Sequence, residues 1–116
     1  MNTLVNYGIL LKDYMNIYKV AISFAAEADL FRLAIFLHGI MSLEGAREYH
    51  QTMRNEIQSL SILADLYIPS RYADIRQYHP RARRMVSHNK KWVYIFHIDD
   101  DTVIVDRIIP SKLITK

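Results

Sequence analysis

Two runs with the apolar spacing of a helix lie only a few residues apart, and that proximity constrains the fold of this chain more than any other feature. Ala26, Leu30, Leu33, Leu37 and Ile40 recur at steps of four, three, four and three, which draws one apolar stripe. Ser23 precedes the stripe as an N-cap, Glu27 and Asp29 fall near its start where the helix dipole favours negative charge, and Gly39 is placed to end it. Ser42 restarts the pattern with Glu44 in the first turn, and Ala46, Tyr49, Met53, Ile57 and Leu60 form a second stripe over about four turns. Helices joined by so short a link must return antiparallel, as a hairpin.

The flanking segments read as strands. Tyr18, Val20 and Ile22 alternate with smaller or polar neighbours over Tyr18–Ser23. Ala64 to Pro80 has Tyr67, Tyr72 and Tyr78, two prolines and no clear period, so it is expected to be an irregular connection. Ala82–Ser87, Trp92–Ile98 and Thr102–Ile109 then follow as strands, separated by turns at His88-Asn89-Lys90 and Asp99-Asp100-Asp101. Val103 and Val105 face one way, Ile104 and Asp106 the other. The predicted fold class is α+β: an N-terminal strand, then an antiparallel helix hairpin packed on one face of an antiparallel sheet completed by a C-terminal three-stranded meander. At 116 residues, 51% hydrophobic and 23% charged, the chain has the size of one domain.

Several chemistries fall away. There is no cysteine, which removes disulfides, thiolate nucleophiles and cysteine-rich zinc sites and makes a reducing cytoplasm the expected setting. The five histidines, at 38, 50, 79, 88 and 97, form no pair at metal-binding spacing on one element, and no carboxylate is expected to cluster with them, so no metal is implied. Gly8, Gly39 and Gly45 are the only glycines, too few and too scattered for a phosphate loop. The Asp99–Asp101 run lacks the glycine and distant glutamate of a calcium loop. No stretch reaches the length of a membrane span, and Met1 to Tyr14 lacks the basic start and cleavage site of a secretory signal.

The charge is informative through its placement. The net charge is +3, yet Arg71, Arg76, Arg81, Arg83, Arg84, Lys90 and Lys91 crowd one segment opposed only by Asp74, so residues 71–91 carry +6 and the remainder −3. Such a block predicts a cationic patch for a polyanion or an acidic protein, because its field steers and holds opposite charge; a solvated strand and turn is the plainer alternative.

The order of elements also carries a resemblance. Tyr18-Lys19-Val20-Ala21-Ile22-Ser23 leads into an Ala-Glu-Ala-Asp-Leu helix start at residues 26–30. Arg83-Arg84-Met85-Val86 is followed by Trp92-Val93-Tyr94-Ile95-Phe96-His97-Ile98-Asp99 and Thr102-Val103-Ile104-Val105-Asp106-Arg107-Ile108. From Ile17 to Lys112 the series resembles the RelE/ParE superfamily of toxins from bacterial type II toxin–antitoxin pairs. The resemblance implies one toxin domain over residues 15–116, with residues 1–14 an extension and Met15 an alternative start. It implies growth inhibition and plasmid stabilization, a cognate antitoxin as partner, and one of two targets. ParE-like members poison DNA gyrase, and RelE-like members cut mRNA on the ribosome.

In the RelE-like pattern a catalytic arginine follows an aromatic residue at the start of the central strand, whereas here Trp92 is followed by Val93. The basic and tyrosine residues expected beyond the last strand give way to Ile109-Pro110-Ser111-Lys112. The chain is therefore closer to the ParE-like pattern, action by binding, and no catalytic residue is assigned; an inactive relative serving only as a protein-binding module is a third reading. Arg81, Arg83, Arg84, Lys90, Lys91, Arg107 and Lys112 are the expected contacts to the target or to nucleic acid. Phe31, Ile35 and Phe36 lie outside the first stripe and are the expected contacts to the antitoxin, since a partner helix needs an apolar groove. Tyr94 and His97 should point to opposite faces of the central strand, Tyr94 into the core and His97 without an assigned role. No cofactor and no membrane contact are implied, and a homodimer is left open.

Overall fold

The computed structural model describes residues 16–114, so the extension at residues 1–14 and the alternative start at Met15 lie outside the described residues. Strand β1 (Lys19–Ile22) runs into Ser23, whose Oγ accepts the Ala26 N–H at 3.0 Å and starts helix α1 (Phe24–His38). Gly39 closes α1 with its N–H on the Phe36 carbonyl. The helix therefore stops before Ile40, which is 60% exposed and leaves the stripe its spacing assigned it to. Ser42 caps helix α2 (Leu43–Leu63) in the same way, its Oγ accepting the Gly45 N–H at 3.0 Å. A 3-10 turn (Ala64–Leu66), the one-turn helix α3 (Ala73–Arg76) and the strands β2 (Arg83–Val86), β3 (Trp92–Asp99) and β4 (Thr102–Pro110) follow, ending in a 3-10 turn at Ser111–Leu113.

The sheet order is β1-β4-β3-β2. β2, β3 and β4 form the antiparallel meander, and β1 joins its far edge parallel to β4, so the sheet is mixed. Parallel neighbours need a long crossover, which the helix hairpin and the meander provide. The last strand in sequence thus lies between the first strand and β3.

Alternation along β3 sends Tyr94 and Phe96 toward the helices and Val93 and Ile95 to the other face. The helix-side core joins Leu30, Leu33 and Leu37 of α1 and Met53, Ile57 and Leu60 of α2 to Phe96, Val103 and Val105. Each such fully buried side chain contributes about 1.5–3 kcal/mol of transfer free energy. On β4 the register shifts opposite Ile95/Phe96, leaving Asp106 as an extra residue. That bulge exchanges the faces: Val103 and Val105 point to the helices before it, and Ile108 does so after it.

The far face of the sheet is also covered. Ile75 of α3 is fully buried with Ala82, Val93, Ile95 and Ile109, and Tyr78 and Ile114 pack at the rim. The 64–80 connection is thus a cover with a helical turn, where no period had marked one. The two meander turns contain the positive-φ residues Lys90 (66°) and Asp100 (57°). No helix among the described residues is long and apolar enough to cross a membrane.

Candidate functional site

The period of two in β2 separates two arginines adjacent in sequence. Arg83 pairs with Phe96 and shares its helix-side face, whereas Arg84 pairs with Ile95 and faces away. The Arg83 guanidinium reaches the end of α2, donating to the Tyr67 carbonyl at 2.7 Å and the Ala64 carbonyl at 3.4 Å, 3.9 Å from Asp65. Its side chain is 14% exposed. Arg83 thus ties the edge strand β2 to the 3-10 turn that follows α2.

Arg107 is also engaged within the fold. Its Nε and Nη2 donate to Asp29 Oδ2 and Oδ1 at 2.8 and 3.0 Å, while the Ile108 N–H donates to Oδ2 at 2.8 Å and Arg32 Nη2 to Oδ1 at 2.6 Å. β1 pairs only with Thr102–Val105, so past that point Asp29 of α1 takes over the role of a neighbouring strand for the β4 edge. Burial alone would raise the Asp29 carboxyl, but the hydrogen bonds from Arg107, Ile108 and Arg32 outweigh it and hold the group below the ordinary carboxylate range.

The remaining basic candidates fall into two groups. Lys90, Lys91 and Lys112 are exposed and line one hollow with Phe36, Trp92 and Pro110. A second hollow continues from it along β4, bounded by Phe36, Ile108 and Leu113 and by Arg32. Arg84 lies on the edge strand β2, its guanidinium carbon 5.6 Å from the Tyr72 ring centroid, in a hollow shared with Arg71 and Tyr67. Arg81 is exposed close by, since the Ser70 N–H donates to the Ala82 carbonyl at 2.8 Å and holds the two segments together.

The three apolar candidates on α1 also divide. Phe36, 60% exposed, borders the lysine hollow. Phe31 (66%) and Ile35 (59%) share helical spacing with Phe24 (93%) on the side of α1 turned away from its buried stripe.

Two polar clusters escaped the sequence reading. Glu56 of α2 accepts the Tyr94 hydroxyl and, at 2.7 Å, the His88 N–H, while Tyr49 accepts from Trp92 Nε1 at 2.8 Å and Asn89 Nδ2 at 2.9 Å. This ties α2 to the β2–β3 turn. Burial, then the hydrogen bond to Glu56 and its charge, push the Tyr94 hydroxyl far above the ordinary tyrosine value. The signal was present: Glu56 stands beside Ile57, at helical spacing from Tyr49, Met53 and Leu60, so a carboxylate at the border of an apolar stripe needs a buried partner.

The second cluster corrects the expectation that no carboxylate meets a histidine. Asp106, the extra residue of the bulge, meets His97 on the far face: His97 Nδ1 lies 2.7 Å from Asp106 Oδ2, and the His79 ring stacks on His97 at 3.7 Å and 1°. The Arg81 N–H donates to His79 Nδ1 at 3.0 Å, which puts the ring proton on Nε2. Tyr94 and His97 do lie on opposite faces, with Tyr94 in the helix-side core. Among the described residues no three metal-ligating side chains assemble.

A helix hairpin on one face of a mixed four-stranded sheet, closed by a C-terminal meander, defines the class to which this fold belongs. The chain is similar in structure to a solved chain described as the chromosomal ParDE TA system from P. aeruginosa, with a TM-score of 0.68 and 15% identity, over 81% of this chain and 96% of that one. That likeness is one of fold. No family model matches the sequence, and no curated protein does.

Proposed function

We propose that this chain is the toxin component of a type II toxin–antitoxin pair, acting in the cytoplasm, inhibiting growth by binding an essential target such as DNA gyrase, and neutralised by a cognate antitoxin. The observation that carries the reading is the shared fold, which extends over 96% of the ParDE chain. The lysine hollow supports an antitoxin there: its apolar border of Phe36, Trp92 and Pro110 and its rim of Lys90, Lys91 and Lys112 suit an acidic amphipathic segment. Action by binding is favoured because Arg83 and Arg107 hold the fold together instead of facing a substrate.

Induced expression should arrest growth and raise the DNA-damage response, co-expression of an acidic partner encoded beside this chain should relieve both, and purified protein should block gyrase supercoiling. Normal supercoiling at saturating protein would reject gyrase as the target. A second reading, ribosome-dependent mRNA cleavage, draws on the His97–Asp106 pair beside His79. Arrested cells would then contain transcripts with new ends in the ribosomal A site. Unchanged growth without a partner would leave the chain a protein-binding module.

A further inference from the structure

The charge block that is continuous in sequence divides in space, and its two parts have different linings. The lysine part lies past the end of β2, against Phe36 and Pro110, and offers point charges around an apolar hollow. The arginine part lies beyond the β2 edge. There Arg84 stands over the Tyr72 ring, Arg71 shares the same hollow, and Tyr72 is 41% exposed. Arg81 is held nearby through the Ser70–Ala82 hydrogen bond, and Arg76 follows one helical turn after Tyr72, with its N–H on the Tyr72 carbonyl at 3.0 Å. Asp74 is the one carboxylate in this stretch.

Arginine forks match phosphate oxygens, and an aromatic ring with a guanidinium over it is a platform on which an unpaired base can stack. A duplex hides its base faces, whereas an unpaired strand offers phosphate oxygens and base faces together and so uses both the arginine forks and the exposed ring. We propose that the Arg71, Tyr72, Arg81 and Arg84 surface binds a single-stranded nucleic acid through its backbone and one stacked base, and that it does so independently of whatever fills the lysine hollow. The proposal does not depend on the toxin reading, because it requires only this surface.

The test is fluorescence anisotropy of the purified full chain with a labelled 20-nucleotide oligothymidylate. Three neutralised phosphates give a log–log salt slope near −2, so raising salt from about 50 to 200 mM should weaken binding roughly 20-fold. The double variant Arg71→Gln/Arg84→Gln should bind about tenfold more weakly with a shallower slope, and Arg71→Lys/Arg84→Lys should restore the slope, which separates lost charge from lost folding. Tyr72→Leu should weaken binding about fivefold or more with the slope unchanged, as loss of stacking requires. Lys90→Gln/Lys91→Gln/Lys112→Gln should stay within about threefold of the parent. Absence of saturable binding at the lower salt, an equal loss in the lysine variant, or tighter binding to a duplex of the same length would overturn the proposal. None of these outcomes bears on gyrase inhibition or antitoxin binding, so the two readings fail separately.

Discussion

Asp29 shows how one side chain can substitute for a strand. Its carboxylate receives the Ile108 N–H and two arginines, and its side chain is 7% exposed. Asp29→Asn should cost about 2–3 kcal/mol at neutral pH, a little below the range for a fully buried pair because Arg107 is a third exposed. The sign of the pH dependence follows from the lowered pKa. A carboxyl held below its unfolded value adds stability that is complete above about pH 4 and is lost as pH falls through the native value. Urea unfolding should therefore separate parent and variant at pH 7 and bring their midpoints closer together as pH falls below about 4. Arg83, by contrast, shows what residue type alone hides. A basic residue in a basic block reads as surface, and only the strand's phase against Met85, which faces the helices, turns it inward.

At the level of elements, α3 is the sharpest case. A single helical turn cannot sustain itself in water, so Ala73–Arg76 depends on Ile75 inserting between Val93, Ile95 and Ile109. Ile75→Ala should cost about 2–4 kcal/mol and speed amide exchange of residues 73–78 more than that of α2, read by hydrogen exchange. The sequence could not announce this element, because one turn has no period to detect, and the far-face core was hidden with it. The long stripes were legible for the opposite reason: Leu30, Leu33 and Leu37, like Met53, Ile57 and Leu60, repeat often enough to draw a face, and all six are buried. Ile40 fits that spacing but lies past the helix end. The Asp106 bulge was equally invisible, since an added residue shifts pairing without disturbing composition. Alternation alone puts His97 and Asp106 on one face, but the His79 ring that completes the far-face cluster comes from the aperiodic connection and could not be read from the strand pattern.

For the molecule as a whole, the block of positive charge was legible but its geometry was not. A run of seven cations suggested one patch, whereas the fold directs Arg83 inward and divides the exposed remainder between a hollow past the end of β2 and another beside the β2 strand. The apolar residues of α1 divide in the same way, with Phe36 beside the lysines and Phe31 on the outward side. The sheet order has a further result for folding, because β1 pairs only with β4 and β3 needs β4 to fill its second edge. A chain ending at Asp101 should accordingly show no cooperative unfolding transition by circular dichroism. During synthesis the same geometry withholds the finished sheet until β4 has left the exit tunnel, because before then β1 and β3 have no strand between them and their inner edges wait unpaired.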